Sequence, residues 1–178
     1  MQKRELTANT IRLLRPMFIT FVVLFSNLVT SQANADYEDG VNAAFKGDFD
    51  IAFHEFSIAA EEGLDLAQFN LAILYFTGQG VKQDLEQAFN WTLAAAEQGH
   101  VNAQFNLGSL YFEGQGVSKN LTMAVEWYEF AGQGGHANAA YALAKMFQEG
   151  DTVRRNPVEA HAWASMAAYN NHADGDAL

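Results

Sequence analysis

The sequence predicts an all-α fold, a short solenoid of helix–turn–helix repeats, on three observations. Asp65–His100 and Val101–His136 align without a gap and share 18 of 36 residues. Within each copy the apolar residues recur at spacings of three and four, which is one face of a helix. A weaker copy follows from Ala137 and a shortened one begins at Asp36, and a fixed period in this range marks a repeat array.

Residues 1–35 read as a cleavable export signal. Lys3, Arg4, Arg12 and Arg15 form a basic start, Met17–Val29 is apolar, and Ala33-Asn34-Ala35 offers a signal peptidase small residues, with cleavage expected after Ala35. Thirteen helical residues rise about 20 Å, short of a bilayer core of roughly 30 Å. Retention of the segment as a membrane anchor is the competing reading. The product is thus expected to be exported, either periplasmic or secreted, with no insertion in a membrane after cleavage.

The whole chain carries 10 basic and 21 acidic side chains, a net charge of −11; without the leader 6 and 20 remain, a net charge of −14. So acidic a surface repels phosphate backbones, which argues against nucleic acid as a partner. Cysteine is absent, so disulfides, thiolate metal sites and cysteine nucleophiles are excluded. A hydrophobic core must hold the remaining 143 residues together, and that length can bury one.

Residues 36–64 form the first hairpin, an atypical capping unit whose two helices turn at Gly47-Asp48. In residues 65–100, Ala67, Leu71, Leu74, Tyr75 and Gly78 mark the first helix, and Leu85, Ala88, Trp91 and Ala95 the second. Gly78 is placed to end the first helix in a left-handed conformation. Asp84 is placed as the N-cap of the second, with Gln87 three residues on as in a capping box. Residues 101–136 repeat this logic with Asn120 at the cap. Residues 137–171 repeat it again with Asn156 at the cap and Pro157 at the first helical position, the last helix running to Tyr169. Residues 172–178 are left as a short tail. Equivalent alanines (Ala67, Ala103, Ala139; Ala88, Ala124, Ala160) let helices approach, and Trp91, Trp127 and Trp163, with Tyr75, Tyr111 and Phe147, fill the space between pairs. The total is about eight helices in four hairpins, each leaning on its neighbours.

The A-Q-x-x-L-x-x-L-Y motif, the G-x-G-V loop, the alanine and tryptophan of the second helix and the closing glycine resemble the Sel1-like repeat, a relative of the tetratricopeptide repeat. The resemblance covers Asp65 to about Tyr169 and implies a right-handed solenoid with first helices inside. It also implies a non-catalytic adaptor or scaffold that binds a protein or peptide on its concave face. The third copy departs from the pattern at Thr152, where the others have Gly80 and Gly116, so its loop is expected to take another path. Cysteine-rich bacterial members pair a disulfide in each repeat; this chain lacks it, and no activity of theirs is carried over.

By analogy with the related repeat, the concave positions are Phe69, Ile73 and Phe76, then Phe105, Ser109 and Phe112, then Tyr141, Lys145 and Gln148. Phe69, Phe105 and Tyr141 make an aromatic row suited to an extended peptide or an amphipathic helix. The competing reading has these rings packing between repeats. Lys145 alone beside Asn70 and Asn106 is too little for a carboxylate clamp. No metal or cofactor is expected: His100, His136 and His172 recur one repeat apart, near 10 Å if helices pack at about 8–10 Å, whereas metal ligands sit about 2 Å from the ion. The glycine loops follow helices and lack the lysine of a phosphate cradle. No serine lies in a nucleophile elbow. No catalytic residue is expected, although a small envelope hydrolase acting on cell-wall or β-lactam substrates stays open as an alternative, as does a self-assembling subunit. With no terminal capping helix, the last hairpin is expected to leave some of Ala160, Trp163, Ala164 and Ala167 open to self-association, a partner or the tail.

Overall fold

The computed structural model describes the backbone of residues 31–175 and side chains as far as residue 170. Most of the leader, the His172 side chain and the end of the tail lie outside the described residues. The architecture is an α-solenoid of eight helices, with no strand among the described residues. Residues 31–46 form α1. The rest are α2 (Phe49–Glu61), α3 (Asp65–Thr77), α4 (Leu85–Glu97), α5 (Val101–Glu113), α6 (Leu121–Gln133), α7 (Ala137–Glu149) and α8 (Pro157–Gly175).

Each helix ends where its residues dictate. Gly78, Gly114 and Gly150 close α3, α5 and α7 in the left-handed conformation, at φ of 74°, 77° and 78°. The Asp84 carboxylate accepts from the Glu86 and Gln87 amides, and Asn120 from the Met123 amide. Asn156 accepts from Val158 and Glu159 and donates through its amide to the Glu159 carboxylate at 2.7 Å. The capping box expected at Asp84 is therefore only half made. The Asp84 backbone N–H donates to the Tyr75 carbonyl, as Asn120 does to Tyr111 and Asn156 to Phe147, and these bonds close each loop instead. No non-glycine residue has a positive φ among the described residues, so the Thr152 loop does depart from the path of Gly80 and Gly116.

The core runs along the array as three clusters. One centres on Phe56 and Leu71, one on Ala103 and Leu107, one on Tyr128 and Leu143. Leu71, Leu107 and Leu143 hold one repeat position and are the largest fully buried side chains. Neighbouring hairpins are stitched by repeated aromatic contacts: Phe53 meets Tyr75 edge-on at 5.3 Å, and Phe89 meets Tyr111 at the same distance and angle. Helix α8 runs past Tyr169, where the sequence placed its end. On its surface Ala160 is buried because it joins the α6–α7 core. Val158 (78% exposed) and Tyr169 (74%) stay open beside the exposed Ala164.

Candidate functional site

Where one repeat meets the next, a histidine stands at the start of the new first helix. His100 Nδ1 accepts from the Ala103 amide at 3.1 Å, and His136 Nδ1 from the Ala139 amide at 3.2 Å. Each imidazole is therefore a helix cap that needs its Nδ1 lone pair free, with the ring proton on Nε2. Each also covers an aromatic ring of the preceding repeat: Phe69 stacks on His100 at 4.5 Å, and Phe105 on His136 at 4.3 Å. The earlier junction has Leu64 at the same position and no side-chain cap. Burial lowers the His136 pKa from its ordinary 6.5, an effect partly opposed by a hydrogen bond with its own backbone.

This has a pH consequence. A histidine pKa depressed in the folded state contributes stability that is present above 6.5 and is lost as pH falls through the lowered native value. Replacing His136 by asparagine, a strong cap that does not titrate, should flatten the melting-midpoint profile between neutral and mildly acid pH relative to the parent. His136→Ala should cost about 1 kcal/mol at neutral pH through loss of the cap. Thermal melts across that range check both.

These stackings decide where the expected concave residues lie. Phe69 and Phe105 are half-buried against the inter-repeat core, under the two imidazoles. Tyr141 is 67% exposed on α7. The Lys119 ammonium lies 5.3 Å from the centre of the Phe112 ring. Lys145 pairs with Glu149 on its own helix at 3.8 Å, with both side chains largely in water, and Gln148 is exposed.

Ile73, Phe76 and Ser109 do converge. They line a cavity of about 250 Å³ between α3 and α5, floored by Ala88 and Thr92 of α4 and walled by Ala72, Asn106, Leu110 and Glu113. One unit earlier, between α1 and α3 and floored by Phe49 and Phe56 of α2, lies a wider hollow of about 410 Å³. It is lined among others by Tyr37, Val41, Phe45 and Asn70, whose amide donates to the Tyr37 hydroxyl at 3.4 Å. Ile73 lines both hollows, which adjoin along the first helices. Between α5 and α7 the equivalent space is closed by Tyr128, whose hydroxyl hydrogen-bonds with Ser109 at 3.1 Å. Burial pushes that hydroxyl's pKa up, the Ser109 bond pulls it back in part, and Glu113 adds a smaller upward push.

Sequence reasoning missed Thr92 and Glu113. The signal for Thr92 was present: it breaks a series in which the same repeat position holds Phe56 and Tyr128.

A family model described as Sel1 repeat matches residues 65–100, 101–136 and 137–172. The chain belongs to the Sel1 repeat family. Sel1 repeat proteins generally mediate protein–protein interactions as non-catalytic scaffolds. Among solved structures the chain is similar to c5321, a protective antigen present in uropathogenic Escherichia coli strains that displays an SLR fold. That match has 37% identity and a TM-score of 0.73, covering 77% of this chain and 30% of that one. It is also similar to a Sel1 repeat protein from Oxalobacter formigenes (34% identity, TM-score 0.72, covering 75% of this chain and 55% of that one). Helicobacter pylori cysteine rich protein B matches at 29% identity and a TM-score of 0.50, over 52% of this chain and 69% of that one. This chain thus spans about a third and about half the length of the first two relatives. No curated protein matches it. No described helix is long and apolar enough to cross a membrane.

Proposed function

We propose that this Sel1 repeat array is an exported adaptor that captures a segment of a partner protein along the trough lined by its first helices. The observation that carries the reading is the pair of adjoining hollows that share Ile73, with Phe76 (39% exposed) on the rim. A preformed apolar trough on a rigid scaffold binds a segment without first paying to order its own side, which favours affinity. Phe69, Phe105 and Phe112 line neither hollow, and Tyr141, Lys145 and Gln148 stand on α7, beyond the space closed by Tyr128.

Peptides selected from a random display library on the folded array are the test. Ile73→Asp and Phe76→Ala should each weaken them at least about tenfold with helical content unchanged, since either change removes a buried apolar contact. Peptides that bind both variants as well as the parent would overturn the reading. Phe69→Ala serves as the contrasting case, because its ring is half-buried under His100 and its loss should lower the melting midpoint.

Export through the basic and apolar N-terminal segment is part of the same proposal. A cell-envelope fraction holding a product that begins at Asp36 supports it, and a product retaining Met1 counts against it.

The exposed face of α8 favours self-association as a second reading. Val158, Tyr169 and the shallow hollow formed by Tyr141, Ala164, Ala167 and Ala168 offer an apolar end surface. Sedimentation showing no change of size with concentration would remove it.

A further inference from the structure

The second helices of the first three hairpins place three different residues at one point: Phe56 on α2, Thr92 on α4 and Tyr128 on α6. Phe56 and Tyr128 are buried, and each lies where the facing first helix supplies a glycine. A Cβ on Gly40 would come within 2.6 Å of the Phe56 ring, and one on Gly108 within 2.7 Å of the Tyr128 ring. In both units a ring packs against a glycine; Tyr128 and Gly108 close their space, while Phe56 and Gly40 leave the more open hollow above the ring. The middle unit has neither. Its first helix carries Ala72 at the position equivalent to Gly108, and Thr92 turns its hydroxyl back to the Ala88 carbonyl at 2.7 Å. The cavity of about 250 Å³ lies where the neighbouring units keep a ring of their own. An engineered apolar cavity of about 150 Å³ is enough to take up benzene.

We infer that this cavity receives an aromatic side chain of the partner segment, and that Glu113 at its wall holds a lysine or arginine beside that aromatic residue. The inference rests on the trough reading above and names what the trough selects. An aromatic occupant restores the packing seen around Phe56 and Tyr128. The Asn106 and Gln115 amides in the lining suit a phenol or an indole, which carries a polar group on an apolar body. Glu113 is the one ionisable side chain in the lining, and the chain's net charge of −11 favours a basic segment.

The test uses p-cresol and indole as probes, followed by methyl resonances of Ala72, Ile73, Thr92 and Leu110, on the full array. Saturable shifts at these methyls are expected. The double variant Thr92→Tyr with Ala72→Gly transplants the packing of the next repeat into this one. It should keep the helical spectrum and weaken the probes at least about tenfold, the loss expected when a buried ring is excluded. Ile73→Trp, which blocks the mouth from a half-exposed position, should do the same and keeps the test decisive if the double variant folds poorly. A capped peptide Gly-Lys-Trp-Gly should bind better than Gly-Glu-Trp-Gly. Glu113→Gln should shrink that preference by roughly two- to fivefold, in the range of an exposed ion pair, while leaving p-cresol unaffected. Shifts that never saturate, or that persist unchanged in both filled variants, would overturn the pocket. An unchanged peptide preference in Glu113→Gln would overturn the role of Glu113. Library peptides lost with Phe76→Ala while p-cresol fails to enter would leave the adaptor reading standing and remove the pocket alone.

Discussion

Replacing Gly116 by alanine should lower the melting midpoint by roughly 10 °C. Gly116 sits in the loop after α5 at φ +69°, and a Cβ there would lie 1.9 Å from the Leu85 carbonyl oxygen at the start of α4. The neighbouring atom is backbone, so relief requires the loop and the preceding hairpin to separate. The left-handed conformation alone costs an alanine about 1–2 kcal/mol. Forced separation of packed backbone adds about 1–3 kcal/mol. Gly99 provides the internal control. Its φ is +91°, but nothing lies within 4 Å of its added Cβ, so Gly99→Ala should show only the conformational part. Calorimetric scans of the two variants separate strain from collision. Equal losses would show that the loop does not press on α4.

Leu107→Ala should cost about 3–5 kcal/mol, the range for a fully buried leucine whose cavity cannot collapse. Leu107 is 0% exposed, at the centre of the middle core cluster with Ala95, Ala96 and Ala103. In an array whose units contact only their neighbours, a weak centre uncouples the two halves. Urea unfolding followed by Trp91 and Trp163 fluorescence, each retained as a sole tryptophan, should therefore give coincident transitions in the parent and separated ones in Leu107→Ala. The exposed Leu66, treated in the same way, should change stability by no more than about 0.5 kcal/mol. A Leu107→Ala variant that unfolds in a single transition would show that the repeats are coupled more tightly than their contacts indicate.

The helices could be read from the sequence because their signals are local. The 36-residue period, the closing glycines at 78, 114 and 150, and the caps Asp84, Asn120 and Asn156 each act within a turn or two of their own position. The capping histidines were harder. His100 and His136 were seen as periodic, but histidine is not a favoured cap, and their role depends on the ring of Phe69 or Phe105 from the preceding repeat. Helical spacing placed those two phenylalanines on the first-helix face, yet it could not show that a neighbouring imidazole covers them. The cavity was the least visible feature. It arises from what Thr92 and Ala72 lack relative to Tyr128 and Gly108, and a substitution of large by small becomes a void only once the surrounding backbone is known to stay in place.

The loop glycines also give the array a direction. Gly80 seats against the Phe49 carbonyl and Gly116 against that of Leu85, so the unit 65–100 carries both a glycine facing backward and a carbonyl facing forward. A duplicated block of 36 residues inherits both halves of this latch, and it can be spliced between two existing units without reshaping either neighbour. Gene duplication could in this way lengthen the protein by whole units, each new copy bringing a fresh floor position, equivalent to Thr92, that is free to diverge toward a different guest.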